Sequence, residues 1–76
     1  MKLQNFKYID GYNFFLVFDD GVEKEVNLES FLADKISLEE LYSASIDLDW
    51  GCLEFKNGLV DIEPKTLYKF ANHRTE

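Results

Sequence analysis

The chain has 76 residues, enough for one domain, and a chain of this size buries only about 60% of the surface its unfolded form exposes. Hydrophobic residues make up 46% and charged residues 30%, which excludes a disordered chain; seven Phe, four Tyr and one Trp supply large buried areas per side chain. The net charge of −7 and pI near 4.5 argue against nucleic-acid backbones and anionic lipid as ligands, because binding to those draws on a basic surface.

Solubility accounts for the acidic balance first, and an acidic patch for a basic partner protein second. The carboxylates are scattered through the whole chain rather than spaced along one face, so DNA mimicry has no pattern to rest on. Cys52 is the sole cysteine, which rules out an internal disulfide and any Cys/His zinc spacing and suits a reducing cytosol. The segment Met1 to Phe6 lacks the apolar core of a signal peptide, and the longest apolar run, Phe14 to Phe18, is far short of a membrane span. The expectation is a cytoplasmic, soluble protein.

Taken in chain order, Phe6 to Ile9 reads as a first strand ending at the turn dipeptide Asp10-Gly11. Phe14 to Phe18 is a second strand and Val22 to Val26 a third, joined by Asp19-Asp20-Gly21. A two-residue loop sets Phe18, Leu16 and Phe14 opposite Glu23, Glu25 and Asn27. A three-residue loop sets Phe18 opposite Val22 and Phe14 opposite Val26, with Leu16 facing the stem of Lys24. The second register keeps one face largely apolar and is preferred, with Gly21 in the left-handed position.

That register leaves Phe15 and Val17 on the opposite face, flanked by Glu23 and Glu25. A strand apolar on both sides is covered on both faces or belongs to an interface. Cover by the protein's own elements is the first expectation, and a partner or second copy the other.

Asn27 is placed to cap a short helical stretch carrying Leu28, Phe31 and Leu32. Ser37-Leu-Glu-Glu40 fits the capping-box pattern, with Leu38, Leu41 and Tyr42 following at helical spacing. In the last third, Asn57-Gly58 as a two-residue turn puts Lys56 opposite Leu59, Phe55 opposite Val60 and Leu53 opposite Ile62, as a half-buried hairpin requires. Pro64 then starts a helix at the position where its missing amide donor costs nothing, with Leu67, Phe70 and Ala71 as the inner stripe.

The fold class expected is therefore α+β: an antiparallel sheet of a three-stranded N-terminal meander plus a C-terminal β-hairpin, with two or three short helices, in a single domain over residues 1–76.

No catalytic constellation emerges. Glu54 lies opposite Asp61 on the outer face of the closing hairpin, and paired carboxylates can serve acid-base chemistry or hold a hard cation. A solvated face screened by Lys56 is the plainer reading, and Asp47 and Asp49, one strand period apart, fit an exposed strand in the same way. Asp19-Asp20-Gly21 lacks the further oxygen ligands of a calcium loop and is explained by a hairpin turn. His73, the sole histidine, sits in the tail with no cysteine or serine beside it, so a nucleophilic triad has no support. Lys65, Lys69 and His73 recur every four residues, as the dipole of a last helix favours. Trp50, at the bend before the closing hairpin, and Tyr42 upstream read first as core lids and second as interface anchors. Cys52 reads as a small hydrophobe with no positive neighbour to lower its thiol pKa.

Three stretches carry a family resemblance: Phe14-Phe-Leu-Val-Phe-Asp-Asp-Gly-Val22, Val26-Asn-Leu28, and Leu53-Glu-Phe-Lys-Asn-Gly-Leu-Val-Asp-Ile-Glu-Pro-Lys-Thr-Leu-Tyr68. On these the chain resembles the small bacterial family known as domain of unknown function 2442. Phe55 and Lys56 stand where that family is expected to have a tryptophan and often a proline, and Asn27 replaces its usual aspartate. The resemblance implies a small α+β domain with an antiparallel sheet and no established activity. It also implies a gene neighbour encoding another small protein, sometimes in a toxin–antitoxin arrangement, and hence an interaction or antitoxin-like module.

The functional expectation is a non-enzymatic protein-interaction domain without cofactor or metal, its candidate surface being Phe15, Val17, Tyr42 and Trp50. Its partner is another protein, such as a small basic toxin-like one, or a second copy in a dimer. Membrane is excluded as partner and direct nucleic-acid binding is disfavoured. The alternative is a small metal-dependent protein or enzyme using the acidic patch on the closing hairpin.

Overall fold

The computed structural model describes residues 1–72. Its N-terminal part is an antiparallel meander, β1 (Leu3–Asp10), β2 (Asn13–Phe18) and β3 (Glu23–Asn27), with β2 in the middle. The β2–β3 register puts Phe14 opposite Val26 and Leu16 opposite Lys24. The Phe18 amide donates to the Val22 carbonyl at 2.9 Å and the Gly21 amide to the Phe18 carbonyl at 3.0 Å. Asp19-Asp20-Gly21 is thus the three-residue connection that side-chain matching prefers, with Gly21 at φ 93°.

β1 begins at Leu3, three positions before the expected Phe6. Polar Gln4 and Asn5 hide the strand from a reading of alternation. A register irregularity between Leu3 and Asn5 returns Leu3 to the inner face, opposite Phe18.

The C-terminal part is a second sheet, β4 (Ser45–Ile46), β5 (Leu53–Phe55) and β6 (Val60–Ile62), with β5 in the middle. Leu53 faces Ile62, Glu54 faces Asp61 and Phe55 faces Val60, the pairing expected of the closing hairpin. The two-residue β4, pairing Ser45 with Glu54 and Ile46 with Leu53, adds a strand too short to show in the sequence. The turn is wound more tightly than an Asn-Gly pair alone requires, since Lys56 joins Asn57 and Gly58 in the left-handed region at φ 56°. The Ser43 hydroxyl accepts the Lys56 amide at 2.9 Å and so holds the unusual conformation.

Three short helical elements complete the chain: α1 (Glu29–Leu32), a 3-10 helix over Leu38–Ser43, and α2 (Pro64–Asn72). The cap position of α1 is taken by Leu28, with no side-chain cap bond, rather than by Asn27 as its position predicts; Asn27, one residue earlier, accepts from the Glu29 amide through Oδ1 at 3.0 Å in a local turn. Ser37 and Glu40 form the capping box, the Ser37 amide donating to Glu40 Oε1 at 3.0 Å. The segment that follows winds as 3-10 rather than α helix.

One core serves both sheets. Phe14, Leu16 and Phe18 from β2 meet Leu53 and Phe55 from β5, with Leu28, Leu32, Leu41 and Leu67 closing the sides. Each such fully buried side chain is worth about 1.5–3 kcal/mol relative to exposure. Phe14 and Phe55 cross edge to face at 6.0 Å between centroids, joining one sheet to the other. No polar or charged residue among those described is buried. On α2, Leu67 is fully buried and Tyr68 and Ala71 pack against the core. Phe70 departs from the expected inner stripe and sits at the rim, edge-on to Phe31 at 4.9 Å.

Candidate functional site

The β4–β5 connection folds around one carboxylate. Asp47 Oδ1 accepts from the Asp49 amide at 2.9 Å and, at 3.4 Å, from the Trp50 amide. The Asp47 carbonyl accepts from the Gly51 amide at 2.7 Å, and the Asp47 amide donates to the Cys52 carbonyl at 3.0 Å. Gly51, at φ 75°, lies directly against Lys2, whose Nζ donates to the Asp49 carbonyl at 2.8 Å. The Gly51 carbonyl accepts from the Leu3 amide at 3.1 Å, so the loop is fastened to β1.

This closure turns Trp50 outward. Its side chain is 73% exposed, and Tyr42 is 87% exposed, so neither is a core lid. The expectation for Trp50 fails because the turn set by Asp47 and Gly51, invisible to hydrophobic periodicity, decides where the indole points. Leu48, on the same loop, is 86% exposed.

Below the loop lies an open cleft of about 560 Å³. Its apolar lining is Met1, Trp50, Cys52 and Pro64, and its charged lining is Asp47, Asp61, Glu63 and Lys65. Cys52 is buried, and burial together with the carboxylates of Asp61, Asp47, Glu63 and Glu54 pushes its thiol above the ordinary range. A thiol held protonated in this way is a poor nucleophile, consistent with the small-hydrophobe reading of the sequence.

Glu54 and Asp61 stand opposite one another on the outer face of the second sheet, as the register predicts. Lys56 forms no ion pair with either of them. Its Nζ pairs with Glu40 Oε2 at 3.4 Å, the one ion pair among the described residues. Both partners are part-exposed, so the pair contributes little. Asp47 is engaged in its own turn rather than in a strand-face patch with Asp49. Among the described residues, no group of three or more His, Cys, Asp or Glu side chains is arranged to hold a metal ion.

The four residues singled out from the sequence do not form one surface. Phe15 and Val17 share the outer face of β2, where Lys7 and Glu25 flank Phe15 and Asn5 and Glu23 flank Val17. They are half-buried and lie outside the core cluster, so the expected cover by other elements does not extend over them. Tyr42 lines a separate cleft with Glu40, Ser43, Lys56 and Asn57. Trp50 alone belongs to the acidic cleft. Glu63 and Pro64, which line it, were not singled out from the sequence as site residues; the signal for Glu63 is that it directly follows Ile62, the partner of Leu53, just as Cys52 directly precedes Leu53. The basic stripe on α2 is described for Lys65 and Lys69, while His73 lies outside the described residues.

The molecule is thus a small α+β domain of two three-stranded antiparallel sheets around one core, carrying an acidic cleft walled in part by an exposed tryptophan. No helix among the described residues is long and apolar enough to cross a membrane. Over residues 3–73 the chain matches the family described as protein of unknown function (DUF2442), and it belongs to that family. No curated protein and no solved structure matches it.

Proposed function

We propose that this chain is a non-enzymatic protein-interaction domain, working in the bacterial cytoplasm on a partner protein that carries basic charge. The observation that carries the reading is the placement of Trp50, a rigid aromatic anchor 73% exposed, beside a cleft lined by three carboxylates and one lysine. Aromatic anchors held clear of the core are the residues that dominate binding energy at interfaces. A net charge of −7 steers a basic partner toward the chain and sets the sign of the pairing. The antitoxin-like role implied by family resemblance is one form of this function, with a small basic protein as the partner.

Self-association is the second reading, favoured by Phe15 and Val17 on a sheet face that the core does not use. Sedimentation velocity at micromolar concentration separates the two. A monomer that retains a basic host protein on affinity capture at moderate salt supports the first; a concentration-dependent dimer supports the second. A monomer that retains nothing contradicts both.

A further inference from the structure

Resting on the interaction-domain reading, we propose that the cleft beneath Trp50 is a receptor for a single arginine side chain of the partner's basic segment. The guanidinium would lie against the indole and between the carboxylates of Asp61 and Glu63, with the aliphatic stem along Pro64 and Met1.

The chemistry of the cleft fits that side chain part by part. A guanidinium is planar, weakly hydrated and always charged, so it stacks on an aromatic face and pairs with carboxylates at the same time. Asp61 and Glu63 belong to no ion pair among the described residues and are available to a cation from outside. Asp47 adds a third negative charge at the lining while one of its oxygens holds the loop. Lys65 and the α-amino group of Met1 are the opposing charges among the lining residues, and against three carboxylates the local balance stays negative. The site is also preorganised: the hydrogen bonds around Asp47, together with Gly51 seated against Lys2, fix the backbone that carries Trp50. The buried, protonated Cys52 presents an uncharged surface to the cleft.

Trp50 is the sole tryptophan, so its fluorescence reports on the cleft directly. The probe is an acetylated, amidated Leu-Arg-Arg-Leu peptide titrated in buffered physiological salt, with the Leu-Lys-Lys-Leu peptide and spermidine as comparisons. The expected result is a saturable change in Trp50 emission that is strongest for the arginine peptide. The double variant Asp61→Asn/Glu63→Gln is expected to weaken peptide binding about five- to tenfold, two partly exposed charge pairs being lost. Calorimetry on Trp50→Leu is expected to show a loss of about two- to fivefold, the worth of one cation–π contact. The variant Glu23→Gln/Glu25→Gln removes the same charge from β3 and is expected to change binding by less than about twofold, which separates the cleft from the overall field. Circular dichroism of each variant confirms that the fold is retained. The proposal is overturned by the absence of saturable binding, by equal losses in the two double variants, or by spermidine binding as tightly as the arginine peptide. If Asp61→Asn/Glu63→Gln still retains the same host partner at undiminished strength, the arginine site is wrong while the interaction domain stands.

Discussion

The Tyr68 hydroxyl donates to Asp20 Oδ2 at 2.7 Å, a contact between residues 48 positions apart that ties α2 to the β2–β3 turn. The Tyr68 ring meets Phe18 edge to face at 5.0 Å, so the same side chain serves the core and the turn. The hydroxyl, with help from the Val22 amide, holds the Asp20 carboxyl below its ordinary range, and the Asp20 contact holds the Tyr68 phenol above its own.

Replacing Tyr68 by Phe keeps the ring and removes the hydroxyl, so the variant is expected to be less stable at neutral pH. The loss depends on pH with a definite sign. A depressed carboxyl pKa adds stability that is present above the unfolded value, about 4, and is lost as pH falls through the folded one. A raised phenol pKa adds stability that is present below about 10 and is lost as pH climbs through the folded value. The gap between wild type and Tyr68→Phe should therefore be full near neutrality and narrow toward both extremes. Urea titrations at pH 3, 7 and 11 check this; a gap independent of pH contradicts it.

Phe55→Ala tests whether the two sheets share one core. Phe55 is fully buried and crosses Phe14 of the other sheet. The cavity is expected to cost about 3–5 kcal/mol. Chains of this length are held by about 4–11 kcal/mol in total, so the variant should stand near the edge of unfolding. Both sheets should be lost in one transition, seen as coincident unfolding curves from circular dichroism and from the NMR signals of core residues in each sheet, such as Leu16 and Leu53. Two separated transitions would show that the sheets fold independently.

Two glycines with positive φ distinguish backbone strain from steric closure. At Gly21, φ is 93° and an added methyl group meets nothing, so Gly21→Ala is expected to cost about 1–2 kcal/mol from conformation alone. At Gly51, φ is 75° and the methyl group would overlap Lys2. Gly51→Ala should cost clearly more and loosen the attachment of the loop to β1. Thermal melts of the two variants side by side decide the order.

Trp50→Ser separates stability from recognition. An indole 73% exposed contributes little packing, so stability should change by no more than about 0.5 kcal/mol. The wild-type emission maximum should lie near that of tryptophan in water and shift little on unfolding. A large stability loss or a strongly blue-shifted native emission would place Trp50 in the core after all.

Local pairings were legible because the side-chain period of a strand admits few registers. Phe14 opposite Val26 and Phe55 opposite Val60 follow from keeping apolar residues on one face. The α+β class, the capping box at Ser37 and the start of α2 at Pro64 follow from similarly local chemistry. What stayed hidden depends on groups distant in sequence or on the backbone. The two residues of β4 carry no periodic pattern, and the start of β1 is masked by Gln4 and Asn5. The cleft was hidden for the same reason. Asp47 fixes the turn, Gly51 packs on Lys2, and β6 with the residue after it brings Asp61 and Glu63 to the same cleft as Cys52, so its lining comes from three separate stretches of chain. Glu54 opposite Asp61 was found, whereas the ion pair of Lys56 with Glu40 depended on the placement of the 3-10 helix.

The most direct test of the central claim is affinity capture from the native host at moderate salt with wild type and Trp50→Ser in parallel, followed by mass spectrometry and stoichiometry. One basic protein should be retained near equimolar by the wild type and largely lost from the variant, whose fold is unchanged. Equal retention by both chains, or no protein retained by either, would contradict it.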